Sequence, residues 1–176
     1  MFKNYKLKIR NFDMKILGID PGYGRTGWGV IEKQNGGWVH VAHGCIETGS
    51  KDPFIDRLSE LYLELKKVIE KYKPDCSGVE ELFFFKNAKT VMKVGQARGV
   101  ILLTLFQAGV EIHEFTPLQV KQSVVGYGRA EKQQVEKMIQ LTLNLKERPR
   151  PDDAADALAV AITCGASLKM KKISER

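Results

Sequence analysis

Five carboxylates in this chain stand where runs of apolar residues end or begin. Asp20 closes Ile16-Leu17-Gly18-Ile19, Glu80 closes Cys76-Ser77-Gly78-Val79, and Asp152-Asp153-Ala154-Ala155-Asp156 opens a stretch rich in Ala, Leu, Val and Ile. Asp153 and Asp156, three residues apart, share one face of a helix. Acids in a first helical turn also cap free N–H groups and favour the helix dipole, and this structural account stands beside any functional one. The apolar run from Ala154 to Ile162 must nevertheless pack tightly on a sheet, which brings the opening acids beside the strand ends. Four carboxylates at such a mouth, Asp20, Glu80, Asp153 and Asp156, would repel one another strongly unless cations held them. Hard oxygen ligands suit Mg²⁺ or Mn²⁺, and two such ions about 3.5 to 4 Å apart suit in-line attack on a phosphodiester. The pattern points to a nuclease.

A second reading competes at the first acid. In Gly18-Ile-Asp-Pro-Gly-Tyr-Gly-Arg-Thr-Gly-Trp-Gly29, residues Gly22, Gly24 and Gly27 have the G-x-G-x-x-G spacing of a dinucleotide site, and Glu47 lies about 20 residues on, where a ribose-binding acid is expected. That site needs a helix to open at the last glycine, so that its N–H groups face a pyrophosphate. Here Trp28-Gly29-Val30-Ile31 and, past Gly36-Gly37, Trp38-Val39-His40-Val41-Ala42 are both strand-like. The glycines therefore read as a tight turn that leaves Asp20 at a strand end.

The elements around these acids follow from periodicity. Runs near 15–20, 27–33 and 38–47 read as an antiparallel meander. Pro53, behind an Asp52 cap, opens a helix in which Phe54, Leu58, Leu61, Leu65, Val68 and Tyr72 recur three and four apart, and Lys73-Pro74 stops it. Cys76 to Glu80 is a fourth strand, Asn87 to Gln107 a long apolar helix, and Val110 to Phe115 a fifth strand. Helices follow over Pro117–Val125, Ala130–Asn144 and Asp152 to about Met170. This order implies an α/β fold with a mixed five-stranded sheet, strands 1–3 antiparallel and helices on both faces. Crossovers between its parallel strands place their carboxyl ends at one edge, where ligand sites collect.

The chain has 176 residues and a formal charge of +7. Lys3, Lys6, Lys8 and Arg10 against Asp13 give the first thirteen residues +3, leaving +4 for the remainder. Residues 1–13 read as a basic extension, disordered or from an upstream start, before a single domain over 14–170 and a tail over 171–176. A body at +4 permits an anionic partner without demanding one. With no run of about 18 apolar residues and no export signal, a cytoplasmic location and no membrane partner are expected. Cys45, Cys76 and Cys164 are odd in number and widely spaced, which fits buried reduced thiols better than disulfides or zinc. His40, His43 and His113 share no metal spacing and read as structural or surface residues.

Four stretches, ILGIDPGYGRTGWGVI, VEELFFFKNAKTVMKVGQARG, TPLQVKQSVVGYGRAEKQQV and PDDAADALAVAIT, resemble in matching order the RuvC family of Holliday-junction resolvases, from Met14 to about residue 168. The resemblance implies an RNase H-like (integrase-like) fold, a homodimer, and symmetric paired nicking of four-way DNA junctions in homologous recombination and repair. Two Mg²⁺ ions per site, replaceable by Mn²⁺, and the branch-migration partners RuvA and RuvB are implied with it. The family's four catalytic acids fall on Asp20, Glu80, Asp153 and Asp156. Asp152 stands where the family usually has a neutral residue, so it is an alternative metal ligand; Asp153 keeps the register.

Between Glu80 and Asn87 lies Leu82-Phe83-Phe84-Phe85-Lys86. One or two of these rings belong in the core, but an exposed one could stack on an unpaired base. Phe83 matches the family's stacking aromatic, Phe84 is the second choice, and Lys86 adds a cation for DNA. Lys121 and Lys132, also on family positions, could bind the scissile phosphate or offset transition-state charge. Arg98 lies in a helix that either supplies the dimer interface or is purely structural. Two other assignments compete: an RNA-processing nuclease of the YqgF type, and a junction-binding module without catalysis.

Overall fold

The computed structural model describes residues 14–81 and 88–174. The sequence readings for residues 1–13, Phe83, Phe84 and Lys86 lie outside the described residues. The elements are β1 (Lys15–Asp20), β2 (Arg25–Gln34), β3 (Gly37–Glu47), α1 (Phe54–Tyr72), β4 (Cys76–Glu80), α2 (Ala88–Gln107), β5 (Glu111–Phe115), α3 (Pro117–Val125), α4 (Lys132–Thr142) and α5 (Asp152–Ser174). The sheet runs β3-β2-β1-β4-β5. β1, β2 and β3 pair antiparallel, and β1, β4 and β5 pair parallel, as expected for a mixed sheet.

Alternation along the strands builds two cores. Leu17, Ile19, Val30 and Val79 face α1 and α2, which answer with Leu61, Leu65 and Ile69 and with Ala97, Ile101 and Leu105, each set spaced four apart. Ile16, Ile31 and Cys76 face the other way, toward α3, α4 and α5. On that second face the sheet presents a lane of glycines. A Cβ on Gly18 would lie 2.0 Å from the Ala157 carbonyl oxygen, one on Gly27 1.9 Å from that of Asp153, and one on Gly29 2.7 Å from the Leu158 side chain. α5, with Ala154, Ala155, Ala157, Ala159 and Ala161 all buried, therefore sits backbone to backbone on β1 and β2. The closely spaced glycines after Asp20 serve this packing: Gly27 continues into β2 rather than into a helix, so the phosphate-cradle reading is excluded.

Several boundaries differ from the sequence expectation. Asp52 does not cap α1. Pro53 occupies the cap position with φ −53° and ψ 140° and no side-chain hydrogen bond, while the Asp52 N–H closes a turn onto Gly49 O. α4 is shorter than Ala130–Asn144, because Glu131 forms a capping box with Gln134 and Asn144 adopts φ 49°. α5 continues past Met170 to Ser174. Among the described residues no helix is long and apolar enough to cross a membrane.

Candidate active site

Strand parity decides which acids can meet. In β1, Ile16 and Gly18 face α5, so Asp20 does too; in β4, Cys76 and Gly78 face α5, so Glu80 does too. The register Ile19↔Val79 makes Asp20 and Glu80 neighbours at the carboxyl ends of adjacent parallel strands. α5 begins directly above them: its Asp153 carbonyl rests on Gly27, the register partner of Asp20. The first turn of α5 thus brings Asp153 and Asp156 to the same mouth.

The electrostatics record that convergence. Burial, followed by repulsion from Glu80, Asp156 and Asp153, pushes Asp20 well above the usual carboxylate range. Glu80 is pushed up to about 7, by burial first and by Asp156 second, although a hydrogen bond with Asp20 and the charge of Lys121 oppose the rise. Asp156 is raised by burial against the pull of Lys132. Asp152 behaves differently: Lys132 and then Arg150 hold it below the usual range, although its charge helps to raise Asp156. Asp152 therefore faces the cations of the rim. The all-oxygen donor set and the crowding of its charges fit a hard divalent cation, which would let Asp20 and Glu80 ionise.

Both lysines singled out from the sequence reach this site. Lys132 Nζ, at the start of α4, lies 3.1 Å from Asp156 Oδ2 and 3.5 Å from Asp152 Oδ2. Lys121, on α3, acts on Glu80 through its charge. α3 is fixed for this by a capping box in which Thr116 and Gln119 exchange hydrogen bonds, with Pro117 in its first turn.

Three arginines were not foreseen as site residues. Arg25 Nε lies 2.9 Å from Asp153 Oδ2, with Glu47 at 3.5 Å from its Nη2. Arg98 donates from Nε to the Glu80 carbonyl at 3.3 Å and pairs with Glu114, tying α2 to the end of β4. Arg57, buried in α1, donates to Thr48 Oγ1 and to the Tyr23 carbonyl, each at 3.0 Å, and its guanidinium lies 4.8 Å from the Tyr23 ring centre. It pins the turn that follows Asp20. Arg25 could have been suspected from its place in that turn; Arg57 and Arg98 carry no sequence signal beyond a cation on a helix.

A family model described as "Crossover junction endodeoxyribonuclease RuvC" matches residues 16–164. A relative of that name from Thermosipho melanesiensis is 51% identical over 148 residues, 84% of this chain and 94% of its own length. Another from Caldicellulosiruptor saccharolyticus is 54% identical over 150 residues, covering 85% and 90%. Among solved structures, Thermus thermophilus RuvC in complex with Holliday junction substrate aligns with a TM-score of 0.85 at 34% identity, covering 90% of this chain and 96% of that one.

Proposed function

The chain belongs to the RuvC family of crossover junction endodeoxyribonucleases, a family of metal-dependent nucleases, and from that premise we propose how its own residues divide the work. It is an endonuclease that resolves four-way DNA junctions by paired symmetric nicks, in recombination and repair. The observation that carries the site assignment is the meeting of Asp20, Glu80 and Asp156, with Asp153, from three elements at one sheet edge, in mutual repulsion.

These four carboxylates would hold two Mg²⁺ ions, with Mn²⁺ as substitute, and ions bound there would supply activation of a water for attack on phosphorus and stabilisation of the leaving 3′ oxygen. Asp20 and Glu80 ride on the rigid sheet, and Asp153 and Asp156 on a helix seated against it, so the donors keep their spacing while the DNA is bent or drawn in. Arg25 holds the Asp153 carboxylate in place. Lys132 offsets charge beside Asp156 and, with Lys121 near Glu80, is set to meet the scissile phosphate. Asp152, engaged by Lys132 and Arg150, serves as a rim charge. Phe83 and Phe84 stack on unpaired bases at the junction, and Lys86 contacts its backbone.

The protein acts as a homodimer, because two sites related by a twofold axis match the near-twofold symmetry of a four-way junction. RuvA and RuvB are its partners in branch migration, and the reaction belongs in the cytoplasm. The test is a nicking assay on a synthetic four-way junction and on plain duplex, in Mg²⁺ or in EDTA, with wild type, Asp20→Asn and Asp156→Asn. Paired nicks in the junction alone, abolished by EDTA and by either substitution while binding persists, are expected. Uncut junctions in every divalent metal, or cutting by the Asn variants, would overturn the assignment.

A further inference from the structure

The face of the sheet that carries the acids at its carboxyl edge carries a different cluster at the opposite end. Ligand atoms of Cys76 in β4, His113 in β5 and Cys164 in α5 all lie within 4.8 Å of one another. Their meeting point is Gly78. His113 is its register partner, Cys76 lies two residues before it on the same face, and a Cβ on Gly78 would come within 3.1 Å of the Cys164 Cβ. The missing side chain lets the three donors close around one point. Two thiols and an imidazole are soft to borderline donors, unlike the oxygen set at the other edge. Ligands of a tetrahedral Zn²⁺ at Zn–S distances of 2.3 Å stand about 3.8 Å apart, so shifts of under about 1 Å would complete the coordination.

We propose that Cys76, His113 and Cys164 form a binding site for one thiophilic divalent cation, Zn²⁺ in the first place, with water as the remaining ligand. Two thiols release their protons to solvent on binding, so that two thiolates, a neutral imidazole and Zn²⁺ make a complex without net charge. Neutrality suits the surroundings: Cys76 and Cys164 are buried in the apolar core beside Ile16, Val160 and Ala161. His113, on the edge strand, is the partly exposed member and marks the side from which an ion arrives. The Glu111 carboxylate lies 3.2 Å from His113 Nε2, on the same edge strand. Cys164 follows Asp156 by eight residues, about 12 Å along α5. An ion here would tie α5 to β4 and β5, the same elements that carry Asp153, Asp156 and Glu80, without entering the reaction.

The test uses the full chain, reduced and freed of metal, titrated with Co²⁺. Cobalt thiolates absorb strongly in the near ultraviolet, whereas cobalt bound to carboxylates does not, so the acidic site is silent in this readout. One equivalent should produce the thiolate band, Zn²⁺ should displace it, Cys45→Ala should keep it, and Cys76→Ala and Cys164→Ala should lose it. Zn²⁺ should also slow alkylation of Cys76 and Cys164 but not of Cys45 in the unmodified chain, a readout that needs no variant to fold. Absence of the band in wild type, its survival in both variants, or equal alkylation of Cys76 and Cys164 with and without Zn²⁺ would overturn the proposal.

Discussion

Replacing Glu80 by Gln should make the metal-free protein more stable at alkaline pH while abolishing its activity. In the folded chain Glu80 keeps its proton up to about 7; exposed in the unfolded chain it ionises near 4.5. A carboxyl raised on folding contributes stability that is present below its unfolded pKa and is lost as pH climbs through the folded one. At about 1.4 kcal/mol per pH unit, the interval from 4.5 to 7 removes roughly 3 kcal/mol from the wild type. Gln has the same shape and no proton to lose. In EDTA at pH 8, Glu80→Gln should therefore exceed wild type by up to about 3 kcal/mol, or about 6 to 12 °C in Tm for a chain of this size. Near pH 5 most of the advantage should vanish. Thermal unfolding followed by circular dichroism at the two pH values reads this directly, and adding Mg²⁺ at pH 8 should narrow the gap by stabilising the wild type more. A variant no more stable than wild type at pH 8, or equally favoured at both pH values, would refute the crowding of charge on which the metal assignment depends.

Gly18→Ala should cost at least about 3 kcal/mol, because its Cβ would meet backbone on α5 at 2.0 Å, and residual folded protein should nick far more slowly. Gly99→Ala, in α2 with nothing within 4 Å of the new methyl, should instead stabilise by about 0.5 to 1 kcal/mol, both changes being read from urea titrations. Lys132→Met should lower the nicking rate by about 10²-fold with junction binding retained in a gel-shift assay; a parallel loss of both would make Lys132 a binding residue only. Thr116→Ala removes the α3 cap and should cost about 1 kcal/mol, read as a lower Tm, with Thr116→Ser recovering most of it.

The strands and the acids were legible in the sequence for different reasons. β1 closes on Asp20 and β4 on Glu80 because apolar runs of five or six residues bounded by turn signals are short-range patterns, and the alanine-rich stretch after Asp152 could be nothing but a helix pressed on a sheet. Asp52 failed as a cap because an acid before a proline has the same composition one position early or on time; only backbone dihedrals separate them. The tie from Arg57 to the Tyr23 carbonyl, and from Arg98, read only as part of a structural or interface helix, to the Glu80 carbonyl, went unseen because a carbonyl leaves no trace in residue type. Cys76, His113 and Cys164 were set aside as unrelated for a similar reason. Their proximity depends on the register of β4 with β5 and on the height of α5 over Gly78, neither of which a spacing along the chain encodes.

The glycine lane beneath α5 also constrains how the acidic site can move. At Gly18 and Gly27 helix backbone rests on strand backbone, with no side chain between them to repack, so those two contacts resist sliding of α5 along β1. Asp153 and Asp156 travel as one rigid body with the helix, and Asp20 and Glu80 as another with the sheet. The distance between the two pairs can then change only if α5 tilts or lifts away from Gly18 and Gly27, a motion that breaks packing along several turns at once. Amide hydrogens of α5 and of β1 should accordingly exchange together, and their common opening rate becomes a clock for how often the four carboxylates part.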